Sequence, residues 1–292
     1  MQSAQTGILS PLPPLARYLS FTLGETSRVA EALRALRDAV DGERSVVGIG
    51  RTLVTALGAD VAGLAAFPAI TAPGLTITSA PEVLWIWLRG EDHGELLHRS
   101  RHLARLLAPA FALDTVVDAF KYADGRDLSG FEDGTENPTG DDALAAAIVG
   151  EGSPLAGSSF VAVQRWQHDF ARFEAMSGDA QDHAIGRRRS DNEELDDAPP
   201  SAHVKRTAQE SFDPEAFVLR RSMPWAAGND GGLVFVAFGA SFAAFEAQLK
   251  RMTGREDGIT DALFTFTQPL DGAYFWCPAL KDGQLDLSPL GV

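Results

Sequence analysis

The sequence predicts an α+β protein built from two ferredoxin-like units, each an antiparallel sheet with helices packed on it. Two patterns lead there: strand-length and helix-length segments alternate in both halves, and the order strand, helix, strand recurs in each. Length is the third observation. At 292 residues, 45% hydrophobic and 22% charged, the chain has ordinary globular composition and room for two domains of about 150 residues each. The units are expected at 1–150 and 151–292, meeting near the glycines of 150–157.

Residues 17–23 (RYLSFTL) alternate in polarity and read as a strand. A helix follows, with Thr26 or Ser27 as its cap. Val29, Leu33, Leu36 and Val40 form its apolar face, and Asp41-Gly42 ends it. Residues 45–49 and 83–88 (VLWIWL) read as strands, and 94–107 as a second helix. In the second half, 159–166 (SFVAVQRW) and 232–238 (GLVFVAF) read as strands, with helices at 169–176 and 241–252. Two polar stretches, 124–142 and 178–202, interrupt the pattern. Loops that long in compact domains are functional or disordered.

Composition excludes several classes of function. The lone cysteine, Cys277, permits no intramolecular disulfide, which fits a reducing compartment. Lys+Arg 25 against Asp+Glu 40 gives a formal charge of -15, which argues against broad binding to nucleic-acid phosphates. No apolar run approaches the roughly 18 residues of a membrane span, and the first residues lack the basic head and apolar stretch of a signal peptide. The expectation is a cytoplasmic protein with no nucleic-acid or membrane partner.

Candidate chemistry is sparse outside one loop. Six histidines are present, and His98 and His102 stand four apart on a predicted helix, the spacing of a shared metal. No glutamate follows in the HExxH sense, and the bland reading is a solvated face. His93 and His183 fall in polar, turn-like segments, and Cys277 follows Tyr274-Phe275-Trp276 as a small core residue would. There is no P-loop, GxSxG or GxGxxG motif. The most unusual segment is 130–140, GFEDGTENPTG: acidic and amide side chains among glycines, without the ligand spacing of an EF-hand.

GFEDGTENPTG closely resembles the GxxDG signature of the dye-decolorising peroxidases. Further segments follow in that family's order: QTGIL at 5–9, IGR at 185–187, AHVKRT at 202–207, LRRSMPW at 219–225 and ITDALFTFTQP at 259–269. The matches span about nine-tenths of the chain, residues 5–278. The compact length looks most like the bacterial B-type subgroup.

In that family haem b sits in the C-terminal unit. The resemblance puts His203 at the proximal iron ligand and Asp261 at the acidic partner that makes the imidazole more basic. Asp133 falls on the distal aspartate, which moves a proton between the two oxygens of peroxide. Arg220 falls on the distal arginine, whose fixed charge holds the peroxide anion. On a strand, Ser222 would share the face of Arg220 and hydrogen-bond in the haem pocket, while Arg221 would point the other way. Arg187 matches the arginine that pairs with a haem propionate. Relatives continue with threonine and lysine where this chain has Arg188-Arg189, so which arginine does this stays open.

The implied activity is that of a haem peroxidase. Hydrogen peroxide forms a ferryl species that oxidises dyes, phenols and other small aromatic reducing substrates in one-electron steps. The alternative is a haem-binding protein for storage, sensing or iron release; a cofactor-free binding module would leave the polar loops unexplained. Surface Trp or Tyr can relay electrons in the family. Trp85, Trp87, Trp166, Trp225, Trp276 and Tyr274 are the candidates here, none singled out. A homo-oligomer is expected. Residues 282–292 (DGQLDLSPLGV) faintly resemble the tail by which some members enter encapsulin shells, without the usual basic end and linker.

Overall fold

The computed structural model describes residues 2–72 and 74–292. In the first half, alternation places Ala16 and Tyr18 of β1 (Leu15–Leu23) on one face and Leu19 and Phe21 on the other. Leu19 and Phe21 pack under α1 (Val29–Ala39), whose buried Val29, Leu33 and Leu36 lie on one helical stripe. The unit continues through β2 (Ser45–Gly50), β3 (Leu84–Gly90), α2 (His93–Leu107) and β4 (Phe111–Phe120). Its antiparallel strand order is β4-β1-β3-β2.

A helix α3 (Gly140–Ala147) leads to the second half. There β5 (Ser159–His168) is followed by α4 (Gly178–Ile185) and the short α5 (His203–Arg206), then β6 (Met223–Ala227), β7 (Asp230–Gly239), α6 (Ala243–Met252) and β8 (Asp271–Cys277). The order β8-β5-β7-β6 repeats that of the first sheet, and both are the βαββαβ arrangement of a ferredoxin-like unit.

The two sheets join at both edges. β8 pairs with β2 (Phe275 with Gly50, Trp276 with Ile49), and β6 touches β4 through Trp225 and Ala119. The ring encloses an aromatic interior in which Tyr18 stacks between Trp85 at 5.9 Å and Trp87 at 6.2 Å, and Trp85 stacks on Phe275 at 6.0 Å. Gly48 makes room for it: a Cβ there would lie 2.8 Å from that of Phe275. Each large apolar side chain so buried contributes about 1.5–3 kcal/mol. Gln5 of the QTGIL segment is buried too, its amide bonded to Val47 on β2 and to the Pro278 carbonyl just beyond β8.

Several local expectations give way to tertiary context. Thr26 and Ser27 do not cap α1; they lie in a 3₁₀ turn, Thr26–Arg28. The helix expected at 169–176 is only Phe170–Glu174, and the longer α4 lies inside a stretch read as loop. The tail resembling a shell-targeting segment is folded into the body: Leu285, Leu287 and Leu290 are core residues, so its apolar side chains are not free to dock elsewhere. Cys277 is buried, and burial pushes its thiol up, away from reactivity. Among the described residues no helix is long and apolar enough to cross a membrane.

Candidate active site

β5 and β7 decide where the site lies. Val161, Val234, Val236 and Phe238 face the ring interior. The alternate residues Gln164, Trp166, His168, Leu233 and Phe235 face outward and floor a cleft. The cleft holds about 1610 Å³ of unfilled space, part of it open to solvent.

His203 opens α5 on one wall of this cleft. Its Nδ1 lies 2.8 Å from Oδ2 of Asp261, a carboxylate with no exposed side-chain surface. The other oxygen of Asp261 accepts the Leu263 N–H at 2.8 Å. One carboxylate thus both caps the 3₁₀ turn Ala262–Thr265 and orients the imidazole. The Ala262 N–H donates to the Ser201 carbonyl at 2.7 Å, which brings the two segments together. An ionised Asp261 accepts from Nδ1–H, leaving the Nε2 lone pair to a ligand. Arg206, 5% exposed at its side chain, anchors α5 by a bidentate pair with Asp257 at 2.7 and 2.8 Å and a bond to the Arg251 carbonyl. Hydrogen bonding from Arg206 holds the Asp257 carboxyl below the usual range. Sequence reasoning missed this anchor, although Arg206 lies within AHVKRT.

Asp133 and Arg220 also line the cleft, with Asp133 Oδ1 3.3 Å from Arg220 Nη1. The loop carrying Asp133 is set by backbone bonds: Asp133 N–H donates to the Gly125 carbonyl at 3.1 Å. Gly134 then adopts φ +76, where a Cβ would also meet the Asn137 amide at 2.7 Å. Asn137 closes the loop on Arg220 from both sides. Its Oδ1 accepts the Arg220 N–H at 2.7 Å, and its Nδ2 donates to the Arg220 carbonyl at 3.1 Å. Asn137 had no assigned role, though it stands inside the motif that singled out Asp133.

Of the three successive arginines, Arg187 faces the cleft, with Glu136 at 2.7 Å and Glu194 at 3.6 Å. Arg188 is on the surface with Asp191 and Glu193, and Arg189 lies over the Phe131 ring. Leu219–Arg220 and β6 both pair with β7 in one continuous register, Arg220 opposite Ala237 and Met223 opposite Val234. Ser222 and Arg221 both line a neighbouring pocket that meets the cleft at Asp133, and the Ser222 hydroxyl accepts the Val236 N–H at 3.2 Å. Arg221 is strapped to the Ile8 and Leu9 carbonyls; burial, with the charge of Arg89 nearby, lowers its guanidinium to about 10.

Among the tryptophans, Trp85, Trp87 and Trp276 are buried and only Trp166 lines the cleft. His98 and His102 are exposed, and no group of three or more His, Cys, Asp or Glu suited to a metal ion occurs among the described residues.

Residues 124–282 match the profile of the family "Dyp-type peroxidase, C-terminal". A dye-decolorizing peroxidase of Mycobacterium tuberculosis is 31% identical over 293 residues, spanning 94% of this chain and 88% of that one. A dye-decolorizing protein from V. cholerae superposes with a TM-score of 0.85 at 28% identity, covering 95% of this chain and 97% of its own. A variant of DypB from Rhodococcus jostii RHA1, solved in complex with heme, superposes with a TM-score of 0.82 at 27% identity over 93% and 94% of the two chains. The chain therefore belongs to the dye-decolorising peroxidase family.

Proposed function

We propose that the cleft binds haem b with His203 as the iron ligand, and that the protein uses hydrogen peroxide to oxidise small aromatic donors. One observation carries this reading: a carboxylate-oriented imidazole with a free nitrogen shares one cleft with an Asp–Arg pair. The donor set suits the group. Imidazole nitrogen is an iron ligand, the Leu233 and Phe235 floor suits a flat apolar macrocycle, and Arg187 suits a propionate. Bound haem would take two oxidising equivalents from peroxide and return them singly.

The residues of the chain do the rest. Asp261 keeps the proton on Nδ1 of His203, so that Nε2 stays a donor to metal and gains basicity. Asp133 accepts the first proton of peroxide and returns it to the departing oxygen. Arg220, 3.3 Å away, holds the negative charge that develops as the O–O bond lengthens. A storage or iron-release protein needs no such pair, which is why that alternative is second.

The test is a haem titration followed by absorption spectra before and after one equivalent of peroxide. Wild type should take up haem and change its spectrum within milliseconds, while His203→Ala should lose most uptake. Uptake without a peroxide response would favour storage or iron release. No uptake would remove the assignment of His203.

A further inference from the structure

We propose that the side chain of Asn192 is a positioning group for Asp133, pinning the residues on either side of it from a separate loop. Residues 186–195 follow α4 and fold back on themselves. Arg188 N–H donates to the Glu193 carbonyl at 2.8 Å, Asn192 N–H to the Arg188 carbonyl at 2.8 Å, and Leu195 N–H to the Gly186 carbonyl at 3.0 Å. Arg188 braces the bend from the solvent side through Asp191 Oδ2 at 2.6 Å. This hairpin belongs to the polar stretch 178–202, and the proposed chemistry uses only its Arg187.

Asn192 sits at the bend with φ +62, in the left-handed region. That conformation is costly for a residue with a Cβ, and asparagine tolerates it by bonding to nearby backbone. Here the amide reaches a different loop. Its Nδ2 donates to Glu132 Oε2 at 2.9 Å and to Thr135 Oγ1 at 3.0 Å, across 60 and 57 positions. A carboxylate paired with a guanidinium only accepts, so the amide nitrogen, not its oxygen, faces Glu132. Glu132 precedes Asp133, and Thr135 follows the left-handed Gly134. One amide group thus spans the turn that carries Asp133.

Neighbouring bonds close the same gap. The second oxygen of Glu132 holds Arg126 Nη2 at 3.0 Å, while Arg126 Nη1 reaches the Gly130 carbonyl at 2.7 Å and the Arg189 carbonyl, on the hairpin, at 3.2 Å. Asp133 itself is held by its backbone bond to Gly125 and the 3.3 Å approach to Arg220, so its flanks decide where it stands. The backbone of Asn192 does something separable: its carbonyl accepts Arg187 Nη1 at 3.0 Å and steadies that arginine beside Glu136. Glycine keeps the carbonyl and adopts positive φ freely, so Asn192→Gly removes the side chain's role alone. The effect on rate rests on the peroxidase reading; the fastening of the two loops does not.

Hydrogen exchange on haem-free protein is the first arm. Asn192→Gly should lose protection at the Asp133 and Asn137 amides, bonded to the Gly125 and Gly134 carbonyls, while the Asp169 amide, bonded to the Phe266 carbonyl, keeps its own. Wild-type protection at Asp133 in that variant overturns the proposal. In the second arm, haem-loaded Asn192→Gly should retain haem uptake and run the peroxide-driven spectral change roughly tenfold slower. A wild-type rate overturns the positioning role. Asn192→Asp separates positioning from general loosening. The new carboxylate would face Glu132, with Arg126 beyond it, Arg187 on the backbone carbonyl beside Glu136 and Glu194, and Arg188, Asp191 and Glu193 along the hairpin. Two carboxylates that close ionise together only at a cost and share a proton in mild acid. Relative to wild type at the same pH, Asn192→Asp should be roughly tenfold slow at neutral pH and recover most of the deficit at about pH 5, whereas Asn192→Gly stays slow at both. An Asn192→Asp deficit that does not shrink in acid overturns the positioning role. A wild-type protein without haem uptake or peroxide response strikes the peroxidase reading instead, and hydrogen exchange then decides whether Asn192 fastens the loop.

Discussion

Asn137→Ala should undock the Asp133 loop from Arg220 without touching any reacting group. The side chain makes two bonds to the Arg220 backbone, at 2.7 and 3.1 Å. The Arg220 carbonyl keeps a second donor, Arg221 Nη1 at 3.2 Å, so losing Asn137 there costs about 0.5–1.5 kcal/mol. The Arg220 N–H loses its partner, which costs about 1–3 kcal/mol. The sum, about 1.5–4.5 kcal/mol, should lower Tm by roughly 2–7 °C in a chain of this size. Hydrogen exchange provides the local readout: the Arg220 amide should lose most of its protection. With haem bound, the peroxide-driven step should slow roughly tenfold or more as the 3.3 Å Asp133–Arg220 approach loosens, with haem uptake unchanged. Asn137→Asp keeps the acceptor for Arg220 N–H and should lose less. An Asn137→Ala protein with wild-type protection at Arg220 and an unchanged Tm would refute the claim that this amide docks the loop.

Three further outcomes follow from the site. Arg220→Leu should retain haem but slow the peroxide-driven absorbance change by roughly 100-fold or more in stopped flow, because the charge opposite the lengthening O–O bond is gone. Asp261→Asn preserves an oxygen for the Leu263 N–H but offers His203 a neutral partner; haem affinity should fall about 10–100-fold by titration. The Asp127 carboxyl is held below its unfolded value, so its contribution to stability is complete above that value and disappears as pH falls through the folded one. Denaturant midpoints of wild type and Asp127→Asn should therefore differ by about 1–3 kcal/mol at neutral pH and converge in strong acid.

The sequence determined by itself whatever is written in consecutive residues. The alternation in RYLSFTL and the stripe Val29, Leu33 and Leu36 are local consequences of strand and helix geometry, and β1 and α1 appear where those periods place them. The same reasoning overlooked β4, β6 and β8. In β4 the outward residues are exposed along an edge, β6 carries Pro224, and β8 is apolar on both faces. Such segments become strands because a neighbour pairs with them, and the neighbour is distant in sequence.

The candidate site divides in the same way. Motif resemblance pointed to Asp133, His203, Arg220 and Asp261, but no spacing in the sequence distinguishes His203 from His168. Tertiary structure separated their circumstances. Asp261 reaches His203 across 58 positions and leaves one nitrogen free, whereas Asp127 and Thr267 occupy both nitrogens of His168. Asn137 meets Arg220 across 83 positions. Hydrogen-bond partners so far apart are chosen only when the two sheets close on each other, since no local period encodes which distant acceptor a buried donor will find.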